Sequence, residues 1–212
     1  TLVDAGDAIQ GAPVGTLSEG GYIISLMNQA GYDFAIPGNH EFDYGMSRFL
    51  KLSTGLDCGY YSCNLVKGPS MQQVFKPYKI INYDDVTVAY VGVTTPESIT
   101  KSNPTNFQNT TGGYIYSLCE DTDGQMLYRQ VQEAVDAARA EGADFVILVG
   151  HLGNEGVTEK WTSKSIIANT NGINAVIDGH SHETFTEQAP NKDGVLIPVA
   201  QTGTNLANIG KI

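Results

Sequence analysis

The sequence predicts a layered α/β fold. Short apolar runs that are rich in β-branched residues alternate with amphipathic helical patterns along 212 residues. Such runs are typical of strands buried on both faces of a sheet. The runs are residues 1–3, 34–36, 145–149 and 175–177. With 41% hydrophobic residues, the chain can bury one sizeable core or two small ones, so we expect one globular domain over residues 1–212.

Two helices are predicted between the strands. Apolar residues recur at helical spacing over residues 23–30, and Gly31 follows as a helix-ending residue. A longer pattern of the same kind covers residues 127–138 and is closed by Gly142. Helices at these places would lie on the outer faces of a sheet formed by the apolar runs.

The middle of the chain has a different character. Residues 79–94 predict two strands around Asp84 and Asp85, and a hairpin there makes the sheet mixed rather than purely parallel. Residues 96–123 carry two prolines and a Gly-Gly pair without a sustained period, so we interpret them as either an ordered surface excursion or an irregular loop.

Charge and composition exclude several functions. Twelve basic against 23 acidic residues give a net charge of −11, which repels nucleic acid polymers and anionic membrane surfaces. No apolar run is long enough to predict a membrane span. Cys58, Cys63 and Cys119 show no metal-ligand spacing, so we interpret them as small half-buried residues, with their disulfide state left open.

Each apolar run is followed by a glycine and then by side chains that can bind metal. These side chains are Asp7, Asn39, His40, His151, His180 and His182. All four histidines of the chain fall at these places. A single Asp or His at a strand end is usually a turn former or a cap, but ligands of α/β sheets collect at the carboxyl ends of strands. Because four strand ends carry such side chains, the sequence predicts that these side chains form one metal site.

The ligand types narrow the choice of metal. Imidazole together with carboxylate and amide oxygen suits zinc, manganese, iron or nickel better than calcium. Cysteine is absent from these positions, which argues against a structural zinc site. Asp178, beside the last pair of histidines, is predicted either to orient a histidine or to form a turn.

Four strings carry a resemblance to a known family. They are GDAIQG from Gly6, GNHEFD from Gly38, GHLG from Gly150 and DGHSH from Asp178. Their order and spacing resemble those of the calcineurin-like metallophosphoesterases. Gln10 and the string GNHEFDYG resemble the branch of 5'-nucleotidases and 2',3'-cyclic-nucleotide 2'-phosphodiesterases.

This resemblance implies a four-layer α-β-β-α sandwich of two mixed sheets, with two divalent metal ions at the strand ends. By motif, Asp7 resembles the carboxylate that bridges both metals. Asn39, His151 and His180 resemble the remaining ligands of one metal, and His182 resembles a ligand of the other.

The resemblance also implies catalytic roles. His40 resembles the histidine that lies over the substrate phosphate, where it stabilises the transition state or protonates the leaving oxygen. Asp43 is expected to accept a hydrogen bond from His40, or else to cap the helix predicted near residue 44. Glu41 is interpreted as a first-turn or supporting carboxylate. Asn64 is predicted at the rim of the site, where it would contact substrate together with Asn39 and His40.

The reaction implied is hydrolysis of nucleoside 5'-monophosphates, with 2',3'-cyclic nucleotides as a second class of small-molecule substrate, through a metal-bound hydroxide. The family also uses an upstream Asp-X-His and a C-terminal base-binding domain. We expect this chain to lack both. Without the Asp-X-His ligands, only Asp7 and His182 are left for the second metal, so we expect the chain to hold it weakly. Family habit implies a secreted, periplasmic or wall-attached bacterial protein.

Two alternative functions are also considered for this sequence. One is a truncated module of the same fold that binds metal without turnover. The other, a metallo-β-lactamase-type hydrolase, requires an HxHxDH string that the sequence does not contain.

Overall fold

The computed structural model describes residues 1–212. The strands are β1 Val3–Asp4, β2 Phe34–Ala35, β3 Val66–Lys67, β4 Gln72–Gln73, β5 Tyr78–Tyr83, β6 Val86–Thr94, β7 Tyr116–Ser117, β8 Phe145–His151, β9 Ala175–Asp178, β10 Thr184–Pro190 and β11 Leu196–Thr202. The α-helices are α1 Pro13–Ser18, α2 Gly21–Ala30, α3 Met46–Ser53, α4 Ser98–Lys101, α5 Gln125–Ala140 and α6 Ser163–Asn169. Three 3-10 turns cover His40–Phe42, Pro104–Phe107 and Glu159–Trp161.

The largest sheet has six strands in the order β10-β11-β9-β8-β6-β5. Its four central strands run parallel, and the edge strands β10 and β5 are antiparallel to their neighbours. The sheet is therefore mixed, as predicted. The parallel direction brings the carboxyl ends of β6, β8 and β9 to one edge.

Helices α5 and α6 cover one face of this sheet. Alternate side chains of β6 and β8, among them Val91 and Leu148, are fully buried against Leu127 and Val131 of α5. Period-two alternation explains this arrangement, because every second residue of a strand points to the same face.

A small parallel sheet of β1 and β2 lies on the other face. Phe34 and Ile36 pack against Val149 of β8, and the Phe34 ring stacks on Tyr61 with centroids 4.6 Å apart. Ala35 points the opposite way, into a second core with the helices α2 and α3. The order of layers is thus helix, sheet, sheet, helix, which confirms the predicted fold class.

The sequence predicted the main elements with small errors at their ends. Helix α2 ends at Gly31, whose φ of 74° is left-handed, and α5 spans the predicted residues 127–138. Strands β5 and β6 form the predicted hairpin around Asp84 and Asp85. The first strand covers Val3–Asp4 rather than residues 1–3.

Residues 96–123 are the ordered excursion rather than the irregular loop, but they do not lie wholly at the surface. They hold α4, a 3-10 turn and β7, and they bury Phe107 and Leu118 against the second core. The few apolar residues of this segment have no regular spacing, so the sequence shows no periodicity that would predict its helix and strand. Phe107 and Leu118 are buried because they pack on the second core, which is formed by other segments of the chain.

Packing between the sheets should depend strongly on Phe34, which is fully buried. We expect Phe34→Ala to lower the free energy of unfolding by about 3–5 kcal/mol, because truncation leaves a cavity between the two sheets. Urea unfolding followed by circular dichroism measures the change. Leu17→Ala is the control, since Leu17 is 85% exposed and should leave the urea midpoint unchanged. Equal midpoints for the two variants would contradict the assignment of Phe34 to the inter-sheet core.

Candidate metal centre

The predicted ligands lie together at one edge of the sandwich. Asp7 follows β1 and Asn39 follows β2, while His151 is the last residue of β8 and His180 follows β9. The paired strands run parallel in each sheet, so their carboxyl ends present these side chains at the same place. The side chains converge although up to 173 positions separate them in the sequence.

Three polar atoms surround Nε2 of His151. Oδ2 of Asp7 is 3.0 Å away, and Oδ1 of Asn39 and Nδ1 of His180 are each 3.2 Å away. Ligand atoms of Asp7, His151 and His180 all lie within 4.8 Å of one another. Atoms bound to a tetrahedral zinc ion lie about 3.3–3.6 Å apart, so only small shifts would bring these side chains around one ion.

His151 is held by its other ring nitrogen. Nδ1 donates a hydrogen bond to the Ala5 carbonyl at 2.7 Å, which leaves Nε2 toward Asp7 and Asn39. Burial disfavours both charges of the pair, but their mutual attraction and hydrogen bond outweigh it. The pKa of Asp7 is lowered to about 2, and that of His151 is raised to about 9. Metal binding at Nε2 would therefore displace a proton.

His180 is held in a different way. Its Nε2 lies 2.9 Å from Oε2 of Glu97, a buried carboxylate in the segment after β6. The other carboxylate oxygen of Glu97 accepts hydrogen bonds from the N–H and O–H groups of Thr158. Burial lowers the pKa of His180, helped by the nearby charge of His151 and opposed by Glu97.

Glu41 fixes the backbone beneath the site. Its carboxylate is fully buried and accepts N–H groups from Gly38, Asp7, Ala8 and Ile9 at 2.6–3.3 Å. Burial, together with nearby acidic groups, raises the pKa of Glu41 to about 7, although the backbone N–H groups oppose this shift. The supporting role predicted for Glu41 is consistent with these contacts, which tie the turn after β1 to the turn after β2.

Glycine allows the two turns to approach closely. A Cβ atom on Gly38 would overlap the Asp7 carboxylate and lie 2.7 Å from the Asp7 backbone nitrogen. Asp7 and His180 themselves adopt left-handed backbone conformations, with φ of 67° and 84°. Such conformations cost energy for residues with side chains and are concentrated at functional sites.

His40 and Asp43 form the predicted pair. Nδ1 of His40 lies 2.6 Å from Oδ2 of Asp43, and the His40 backbone N–H donates to Oδ1 of Asp7 at 2.8 Å. Burial opposes the charge on His40, but the carboxylates of Asp43 and Asp7 outweigh it and raise the pKa of His40. Asp43 does not cap α3, because Gly45 occupies that position without a side-chain cap.

The structure corrects the interpretation of Asn64. Its side chain is fully buried, and the amide nitrogen donates hydrogen bonds to the carbonyls of Thr94 and Leu118. Its amide oxygen accepts from the Thr94 N–H and the Ser62 hydroxyl. No polar group of Asn64 is left for a substrate, so the residue braces the end of β6.

Two other predicted residues lie near the centre without joining it. His182 is exposed and stands outside the cluster of Asp7, His151 and His180. None of the hydrogen bonds of Asp178 goes to a histidine ring; it accepts backbone N–H groups of Leu152 and Gly179, which is the turn role.

Glu97 is the residue that sequence reasoning missed. It falls in the segment interpreted as a surface excursion or irregular loop, and no motif marks its carboxylate. A signal was nevertheless present, because β6 runs parallel to β8 and its carboxyl end, at Thr94, is beside His151. The rule that ligands gather at such ends, applied to β6, points to the first carboxylate that follows it.

The residues fit a divalent metal. One carboxylate, one amide oxygen and two imidazole nitrogens converge, and both rings are oriented by acceptors on their outer nitrogens. Outer acceptors of this kind are typical of metal-binding histidines. The donor set suits Zn²⁺, Mn²⁺ or Fe²⁺.

Comparison with protein families identifies this arrangement. The profile described as "Calcineurin-like phosphoesterase" matches residues 1–184. The chain belongs to the calcineurin-like phosphoesterases. Membership of this family confirms the resemblance carried by the four sequence strings. It also implies that the protein uses divalent metals and supports its assignment as a hydrolase.

Relatives of this calcineurin-like phosphoesterase include nucleotidases. Bovine 5'-nucleotidase is 31% identical over 207 residues, which cover 94% of this chain and 32% of the relative. The trifunctional nucleotide phosphoesterase YfkN of Bacillus subtilis is 30% identical over 216 residues, 87% of this chain and 13% of the relative. The chain thus spans a third or less of the length of these relatives.

Solved structures of calcineurin-like phosphoesterases share the fold. The structure of YfkN superposes with a TM-score of 0.76 at 27% identity, over 96% of this chain and 67% of the other. The Haemophilus influenzae NAD nucleotidase gives a TM-score of 0.75 at 24% identity, over 94% of this chain and 39% of the other.

None of the helices in this chain combines the length and the apolar character needed to cross a bilayer.

The close approach at Gly38 can be tested directly. We expect Gly38→Ala to weaken Mn²⁺ or Zn²⁺ binding by about 10-fold or more, since displacement of Asp7 disturbs the ligand set. Isothermal titration calorimetry measures the affinity. Gly55→Ala is the matched control, because a Cβ on exposed Gly55 would meet nothing closer than 3.5 Å. Wild-type affinity in Gly38→Ala would contradict the tight packing of this turn on Asp7.

Proposed function

We propose that this domain hydrolyses nucleoside 5'-monophosphates with the help of divalent metal ions. The observation that carries the proposal is the convergence of Asp7, Asn39, His151 and His180 beside the His40–Asp43 pair. The names of the relatives support nucleotides as the substrate class. The name of the trifunctional relative is compatible with further phosphoesters, such as 2',3'-cyclic nucleotides.

Four residues would hold the first metal. Asp7 offers Oδ2, Asn39 offers Oδ1, His151 offers Nε2 and His180 offers Nδ1. Asp7 would also be shared with a second metal, for which His182 is the other predicted ligand. When bound, divalent metal supplies positive charge that polarises a phosphoryl group and lowers the pKa of water.

His40 would act on the substrate itself. Its Nδ1–H donates to Asp43, so in the cationic ring Nε2 carries the second proton, which can be given to phosphoryl or leaving-group oxygen. The backbone hydrogen bond to Asp7 fixes the distance between His40 and the metal ligands. Asp43 keeps the ring oriented and favours its cationic form.

A second candidate function is metal binding without turnover. The exposed position of His182, outside the ligand cluster, favours it, because a second metal would then depend on few protein ligands. Under this candidate the chain binds one metal tightly and releases no phosphate.

One assay separates the two candidates. The purified chain is saturated with Mn²⁺ or Zn²⁺, its metal content is measured, and phosphate release is followed from AMP and from p-nitrophenyl phosphate. Turnover that is lost in Asp7→Asn supports the hydrolase. One bound metal without turnover supports the second candidate, and the absence of metal binding contradicts both.

A pair of substitutions tests the division of roles between neighbouring residues. We expect His40→Ala to keep its metal and to lose turnover by about 10²- to 10⁴-fold, the range for a general acid. Asn39→Ala should lose metal affinity as well, because it removes a ligand atom. Titration calorimetry and phosphate release give the two readouts. Loss of metal from His40→Ala would show that this histidine is itself a ligand.

Two further predictions concern the setting of the domain. We propose that a separate domain supplies base recognition, and that the protein acts in a secreted, periplasmic or wall-attached location. The name of one relative, a snake venom 5'-nucleotidase 29% identical over 194 residues, is compatible with action outside the cell.

A further inference from the structure

Glu97 connects three segments at the metal centre. Its Oε2 lies 2.9 Å from Nε2 of His180, and its Oε1 accepts the N–H of Thr158 at 2.7 Å and the Thr158 hydroxyl. The Glu97 and His180 side chains are 9% and 6% exposed. A buried carboxylate with all of these partners is fixed in both position and direction.

The backbone around Glu97 is anchored to the same edge. The Thr95 N–H donates to the His151 carbonyl at 3.0 Å, and the Glu97 N–H donates to the Thr95 hydroxyl at 3.2 Å. Glu97 therefore starts from a segment that is itself tied to the end of β8. The distance from its carboxylate to His180 is set by backbone contacts rather than by a mobile loop.

This contact determines which nitrogen of His180 carries the proton. An ionised carboxylate only accepts hydrogen bonds, so the neutral ring must have its hydrogen on Nε2. Nδ1 then presents a lone pair toward His151 and Asp7, where the other ligand atoms lie. The opposite tautomer would direct a lone pair at the carboxylate and an N–H group into the ligand cluster.

The two histidines therefore use opposite nitrogens, each with its own acceptor. His151 gives Nδ1 to the Ala5 carbonyl and keeps Nε2 for metal, whereas His180 gives Nε2 to Glu97 and keeps Nδ1. A backbone carbonyl is present whatever the residue type, but the acceptor of His180 is a side chain. Substitution can remove it without altering a ligand.

We propose that Glu97 is a positioning residue that fixes the tautomer and orientation of His180, and thereby sets the metal affinity of the site. The inference rests on the proposed metal-dependent function. Outer acceptors of this kind typically change metal affinity by about 10- to 100-fold, without being ligands themselves.

The test combines Glu97→Gln with two measurements on the same chain. Glutamine must turn its NH₂ group either toward His180, which removes the acceptor of Nε2–H, or toward the Thr158 donors, which sets donor against donor and displaces the side chain from His180. We expect Zn²⁺ affinity, measured by titration calorimetry, to fall by about 10- to 100-fold. In the metal-free protein, ¹⁵N NMR should show the Nε2–H tautomer of His180 in wild type and its loss in the variant.

Two control variants separate tautomer control from general loosening. Glu120→Gln alters a similar carboxylate of the same excursion, which accepts from the Ser117 hydroxyl and the Leu118 N–H away from the site. It should keep both readouts. Thr158→Val removes one donor to Glu97 but leaves the bond to His180, so the tautomer should stay Nε2–H.

The outcomes are distinct. Equal affinity in wild type and Glu97→Gln overturns the inference and leaves the proposed function standing. Equal loss in Glu97→Gln and Glu120→Gln also overturns it, because loosening would then explain the effect. A wild type that binds no Zn²⁺ overturns the proposed metal site, and with it the claim on affinity. If Glu97→Gln does not fold, wild type and Thr158→Val decide, and an Nδ1–H tautomer in either one overturns the inference.

Discussion

The contact between Asp7 and His151 is the constraint on which the site depends. It joins the end of the small sheet to the end of the six-stranded sheet, with Oδ2 and Nε2 3.0 Å apart. Burial works against both charges. Their mutual attraction and hydrogen bond offset that cost, helped by the His40 N–H at Asp7 and the Ala5 carbonyl at His151. Asn39 and His180 are arranged around the same His151 nitrogen. The metal centre is therefore also one of the places where the two halves of the sandwich are held together, beside the apolar packing of Phe34 on Val149.

The surroundings of this contact are organised by the protein itself. Glu41 accepts four backbone N–H groups of the two turns, and Asp178 accepts three from the turns after β8 and β9. Asp7 and His180 keep their left-handed backbone conformations because these buried hydrogen bonds hold the surrounding backbone in place. Ligands positioned in advance need little rearrangement to receive an ion, which favours binding.

The charge of the protein and the charge of its proposed substrate have the same sign. The chain carries a net charge of −11, and Asp7, Glu41 and Glu97 are all within the centre or directly behind it. A phosphate monoester would be repelled by such a site on its own. Divalent ions held by these residues would reverse the local sign, which would make the acidic composition compatible with a phosphoesterase. His40, whose pKa is raised by its carboxylate neighbours, adds a further positive charge on the substrate side.

The sequence by itself determined the layered fold and the candidates Asp7, Asn39, His151 and His180, because strand periodicity and residues at strand ends are local properties of the chain. Only the tertiary structure decided which side chains point to a common centre. It left His182 exposed, used Asn64 as a brace and brought Glu97 to His180 from 83 positions away. Side-chain direction depends on register, backbone conformation and packing between distant segments, and none of these is written in a single stretch of sequence.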